Sequence, residues 1–159
     1  MTAPTTTQRP PSESQTSSPG WAVPTRRVSF SPRLEDLPKH FAKDGNIIAS
    51  HFAAGASTIF PDSEQYFVEV VRHYRDRVTD PELKRQVAGF IGQESVHGRE
   101  HHALNERLAE LGYPTRRYEW LVRHAYFRFQ ALKPPMARLA FAVAAEHITA
   151  TLSEVFMSD

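Results

Sequence analysis

The chain has no cysteine among its 159 residues, which excludes a disulfide framework, a zinc ribbon and a thiol nucleophile. It also lacks an excess of either charge. Nineteen Lys and Arg stand against 18 Asp and Glu, for a formal net charge of +1, so the basic face expected of a nucleic-acid binder is missing. No long apolar run occurs: the longest, residues 139–145, falls far short of the roughly 20 residues that cross a membrane. The opening MTAPTTTQRPP has none of the basic-then-apolar order of a secretory signal. A soluble chain is expected, placed in the cytoplasm, with neither a nucleic-acid partner nor a membrane span. Its length allows one domain with a real core.

What is present divides the chain in two. Sixteen of the first 20 residues are Thr, Ser, Pro, Gln or Gly, a composition that cannot bury enough apolar surface to offset ordering entropy. Residues 1–24 are therefore expected to be a disordered tail, and residues 25–159 a helical metal-binding domain. Within 21–45, Trp21, Val28, Phe30, Leu34, Leu37 and Phe41 are scattered among prolines, which suggests an extended arm packed on the core. From Asn46 onward the period is helical. Ile47, Ile48, His51, Phe52 and Ile59 suggest a short helix that stops before Pro61. Asp62 or Ser63 then reads as an N-cap, and Glu64, Phe67, Val71, Tyr74 and Val78 follow at three-and-four spacing. Asp80 as cap and Pro81 at the first helical position open the next helix. It is expected to run to Leu111, about 31 residues or roughly 46 Å. Further helices are expected over 118–132 and 135–156. No window alternates with period two, so the fold class is all-α.

The long helix carries the chemical argument. Its inward stripe reads Leu83, Val87, Phe90, Glu94, His97, His101, Leu104, Leu108, Leu111, alternating four and three. A carboxylate at a core position costs several kcal/mol unless it is paired or bound to metal. The preceding helix places Glu64 on its stripe, and the last helix places Glu146 on the face of Leu139, Val143 and Ala150. Glu-x-x-His sets a carboxylate and an imidazole one turn apart, the inward motif of di-iron and di-manganese bundles. Glu64, Glu94, His97, His101 and Glu146 are thus the candidate metal ligands. Glu64 and Glu146 could instead each pair with a buried arginine. The mixed donors suit one or two divalent ions, Fe or Mn first and Zn as an alternative. His102 lies off the stripe and reads as solvated. Gly89, Gly92 and Gly98 interrupt the same helix, where small residues would admit a neighbouring helix or a ligand.

The stretches IFPDSEQYFVEVVRHY, DPELKRQVAGFIGQESVHGREHHALNERLAELGY and AAEHITATLSE resemble the bacterial family of predicted metal-dependent hydrolases. The resemblance covers about residues 37–157 and is most specific at GFIGQESVHGREHH. It implies a ferritin-like helical bundle. The family's first acidic motif falls on Glu64, its Glu-x-x-His-x-x-x-His on Glu94, His97 and His101, and its third-helix acid on Glu146. It also implies a further acid- and His-rich helix beyond Glu146. The bundle is therefore expected to be incomplete, a C-terminally truncated member of the family whose uncovered apolar face favours a homo-oligomer.

The function expected is that of a metal-dependent enzyme, resembling those hydrolases, whose Glu/His site activates water for attack on a small-molecule substrate. Two other classes fit the same residues. One is a di-iron oxygen-activating or metal-storage bundle, and the other an inactive truncated remnant binding a partner helix.

Overall fold

The computed structural model describes residues 24–27, 29 and 31–157. The tail expected over 1–24 lies outside the described residues, apart from Pro24. Those residues form helices and no strand, as the single helical period requires. A short α1 (Ser31–Leu34) precedes α2 (Ile47–Ser57), α3 (Phe60–Arg75), α4 (Pro81–Glu110), α5 (Thr115–Leu121), α6 (Arg128–Ala131) and α7 (Pro135–Met157). A π-helical segment, Val122–Phe127, joins α5 to α6. Among the described residues no helix is long and apolar enough to cross a membrane.

Helix α4 begins where its cap lies. The Asp80 carboxylate accepts from the Leu83 amide at 2.7 Å, and Pro81 fills the first turn. Helix α2 is capped by the Asn46 side chain, which accepts from the Ala49 amide at 3.0 Å. Helix α3 starts earlier than its sequence suggests. Ile59 is the N-cap residue and contributes no side-chain bond, Pro61 occupies the first turn, and Asp62 and Ser63 already lie inside the helix. Pro61 therefore opens α3 rather than ending the helix before it, since proline's missing N–H costs nothing in a first turn. The helix expected from Tyr118 begins three residues earlier, at Thr115, whose hydroxyl donates to the Asn105 carbonyl at 2.9 Å.

Helix α3 packs chiefly on α4 and also carries α7. Tyr66, Phe67, Val70 and Ala142 form one core cluster between α3 and α7, with Phe90 and Phe127 against it. A second cluster, Ala54, Leu108 and Tyr113, is covered by Leu37 and Phe41 from the arm. The described part of the arm packs on the core through Leu37 and Phe41, but Ser31–Leu34 is helical where an extended arm is expected, and Trp21, Val28 and Phe30 lie outside the described residues. The Tyr113 hydroxyl donates to the Lys39 carbonyl at 2.5 Å.

Helix α2 faces the opposite way from its apolar pattern. Ile48 and Phe52 are 83% and 79% exposed, while Ser50, Ala54 and Ser57 are buried. The small residues allow close approach to α4, and Ser57 donates to Asn105 Oδ1 at 2.6 Å. Asn105 answers with its amide, donating to the Ser57 carbonyl at 3.1 Å and to Glu119 Oε1 at 2.7 Å. On α4, Leu83 is likewise exposed, belonging to neither core cluster.

Candidate metal centre

Glu64 stands on the second turn of α3 and Glu94 near the middle of α4. The two helices approach closely here because residue 98 has no side chain. A Cβ at Gly98 would lie 3.3 Å from Glu64 Cβ and 3.9 Å from the Pro61 carbonyl oxygen. Both carboxylates are consequently withdrawn from water, with Glu64 7% and Glu94 5% exposed.

Imidazoles approach the pair from two sides. His97 Nδ1 lies 3.7 Å from Glu94 Oε1, and His101 Nε2 lies 3.9 Å from Glu64 Oε1. These separations are too long for hydrogen bonds. They match donors arranged about one ion, since ligand atoms roughly 2.1 Å from a metal sit roughly 3–4 Å from each other. Glu64, Glu94 and His97 each offer an atom within 4.8 Å of the others. His101 stacks on the Phe60 ring, centroids 4.6 Å apart, which fixes its orientation. The structure thus brings three of the five candidates into one group, sets His101 against Glu64, and leaves Glu146 half-buried on α7 within electrostatic reach. His97, expected to point into the core, keeps 49% of its side chain exposed and forms the open side of the group.

Electrostatics follow from this crowding. Burial first, then contact with the Glu94 carboxyl and its charge, then repulsion from Glu146, push the Glu64 carboxyl far above the usual carboxylate range. Burial, and after it repulsion from Glu94, raises Glu146 to about 7. Burial lowers His101, and repulsion by His97 adds to that against the opposing pull of Glu94. A divalent cation opposes the shifts of both carboxyls. Glu64 Oε2 is buried with no hydrogen-bond partner, an arrangement that costs free energy unless an ion or a proton meets it. The donor set and this orphaned oxygen therefore fit a divalent metal. A cleft of about 240 Å³, whose walls include Glu64, Glu94, Ser95, Arg99 and His102, opens beside the pair.

A second group, His102, Glu106 and Glu119, has comparable spacing but different surroundings. Glu106 is clasped by the Arg116 guanidinium at 2.6 and 3.3 Å, and Glu119 accepts from Asn105. Its carboxylates already have their partners, so it ties α5 to α4. The sequence marks His102 only as solvated and gives no sign of the ties at Glu106 and Glu119, because those bonds join residues distant along the chain. Nor does it mark Gln93, whose amide lies 3.0 Å from His97 Nε2. The i, i+4 spacing of the two would have revealed that contact.

No curated protein and no solved structure matches the chain. The model of one family, described as predicted metal-dependent hydrolase, matches residues 24–159, a range that contains every residue of the site. With that match spanning most of its length, the chain belongs to the predicted metal-dependent hydrolase family.

Proposed function

We propose that the protein is a hydrolase that uses a divalent ion held by Glu64, Glu94 and His97, within a ferritin-like arrangement of α3, α4 and α7. The observation that carries this reading is the buried carboxylate pair, in which Glu64 Oε2 has no partner, gathered with the His97 imidazole into one group. Ionised together, Glu64 and Glu94 would balance the charge of one divalent ion. The ion supplies Lewis acidity and a more acidic water.

The chain's own groups do the rest. Glu146, half-buried on α7 beside the pair and outside the three-residue group, is placed to accept a proton. His101, held neutral by burial and oriented by Phe60, supports the Glu64 carboxylate. Arg99 and His102, on the cleft wall, are available to a polar or anionic part of the substrate. With carboxylates outnumbering imidazoles, the donors suit iron or manganese. That preference supports a second reading, oxygen activation or metal storage by the same residues.

The test is elemental analysis of protein purified without chelator, beside the Glu94→Ala, His97→Ala double variant. One or two Fe, Mn or Zn ions per chain, lost in the variant, support the site, and an unchanged metal content overturns it. Hydrolysis of a panel of esters and amides then separates the two readings, since storage predicts no turnover.

A further inference from the structure

The segment 24–27 crosses α4 next to the metal group. Its docking rests on two contacts. A Cβ placed on Gly92 would overlap Thr25 Oγ1 and lie 3.3 Å from Thr25 Cβ, so only glycine lets the segment lie this close. One residue on, Gln93 Oε1 accepts a hydrogen bond from the Arg26 backbone N–H at 2.9 Å. The other end of the same amide, Nε2, lies 3.0 Å from His97 Nε2.

A primary amide is polar in one sense only: its nitrogen donates and its oxygen accepts. With the oxygen committed to Arg26, the nitrogen must donate, and His97 Nε2 must accept. The ring hydrogen then resides on Nδ1, the nitrogen that faces Glu94. A metal ligand needs a bare lone pair there. When Nδ1 binds an ion, Nε2 carries the hydrogen and requires an acceptor. Gln93 can supply one only by turning its amide over, and its NH₂ group then confronts the Arg26 N–H, donor against donor. Should His97 bind through Nε2 instead, the Gln93 contact is displaced outright. In either geometry the arrangement that holds the segment down is incompatible with a ligating His97.

Resting on the assignment of His97 as a ligand, we infer that Gln93 is a positioning residue for His97 and couples metal binding to release of the segment 24–27. The docked segment holds the ring in its non-ligating form. The bound ion turns the amide and frees the segment, and the coupling is reciprocal.

The experiment uses the full chain with Co²⁺ as the probe. It reads affinity from the visible absorption of the bound ion, and segment docking from hydrogen exchange at the Arg26 amide. In the wild type, Co²⁺ should accelerate Arg26 exchange. Gly92→Ala should make that exchange fast without metal and tighten Co²⁺ binding about 3- to 10-fold, the worth of one hydrogen bond. Gln93→Leu should remove the response, leaving Arg26 exchange fast with and without Co²⁺, and alter the absorption bands of the bound ion, because His97 loses its outer partner. Gln93→Glu is the decisive variant, because a carboxylate accepts at both ends. It should satisfy Arg26 and a ligating His97 together, restoring the absorption bands that Gln93→Leu alters, with Arg26 exchange slow whether or not Co²⁺ is present. Adding Gly92→Ala to Gln93→Glu should then leave affinity unchanged. If wild-type Co²⁺ binding requires His97 but Arg26 exchange ignores the metal, or Gly92→Ala leaves affinity as it was, the coupling is refuted while the site stands. If His97→Ala binds Co²⁺ as the wild type does, the site assignment and the coupling fall together.

Discussion

Glu64 and Glu94 meet between α3 and α4 with their carboxyls buried against each other, and burial first, then the Glu94 carboxyl, raises the affinity of Glu64 for a proton. Such a pair is held at a cost to the metal-free fold. Glu64→Gln should therefore stabilise the metal-free chain at pH 8, on the order of 1–3 kcal/mol. The same variant should weaken metal binding by at least about 10-fold. Urea unfolding in EDTA, paired with Mn²⁺ titration, checks both halves; a variant less stable than the wild type in EDTA contradicts the account.

Glu146 stands outside the group formed by Glu64, Glu94 and His97. Glu146→Gln is expected to retain metal and to lose turnover by roughly 10²- to 10⁴-fold, the range for a missing general base. Metal per chain and hydrolysis of p-nitrophenyl acetate, measured on one preparation, decide it. Loss of the ion would make Glu146 a ligand instead.

The metal-free chain should lose stability as pH rises through neutrality. Glu64 and Glu146 both have folded values raised above 4.5. Above that pH the native chain keeps protons that the unfolded chain has released, and stability falls with each step upward. His101, lowered from 6.5, acts oppositely, adding stability as pH approaches 6.5 and nothing beyond. Between pH 6.5 and 8 the two acids act alone, Glu146 up to about 7 and Glu64 further. Chemical denaturation in EDTA at pH 6.5, 7.2 and 8 should show a decline. Bound metal requires deprotonated ligands, so its stabilising effect should grow over the same range. A flat profile in EDTA would mean that the acids are not buried together.

Asn105, buried, bonds Ser57 on α2 and Glu119 on α5 through its side chain. Replacing it by Ala leaves Ser57 and Glu119 without those partners. The cost should be about 2–4 kcal/mol, larger than for truncating any exposed residue of α4. Thermal unfolding should fall by roughly 4–16 °C, with the metal content of the surviving folded protein unchanged.

Much of this was legible in the sequence, for reasons that differ by element. Helix α4 announced itself through Asp80-Pro81 and its four-three stripe, and Glu94 stood out as a carboxylate where a leucine belongs. The resemblance to the family was legible in the same residues. The four-three stripe places His97 inward only when drawn as a line. On a helix it lies about 60° round from Glu94, whereas His101 lies about 20° away, so His97 falls at the rim. The burial of Ser50, Ala54 and Ser57 in preference to Ile48 and Phe52 contradicts the apolar pattern. It depends on Asn105, some fifty residues further on, and no local window contains that information. The start of α3 is not legible locally, because Pro61 suits the end of one helix as well as the first turn of the next.

The π-helical segment Val122–Phe127 has a consequence of its own. Before it, Glu119 on α5 turns toward Asn105; at its end, Phe127 joins the Tyr66 cluster. A π turn takes an extra residue into the coil and advances the phase of everything that follows. The rod from Thr115 to Ala131 therefore works like a crankshaft, its two throws set at different angles. It meshes with the polar seam of α2 and α4 at one end and the aromatic cluster of α3 and α7 at the other, without a loop between them. Removing one residue from the segment would restore an ordinary coil and swing Phe127 away from the Tyr66 ring it now meets.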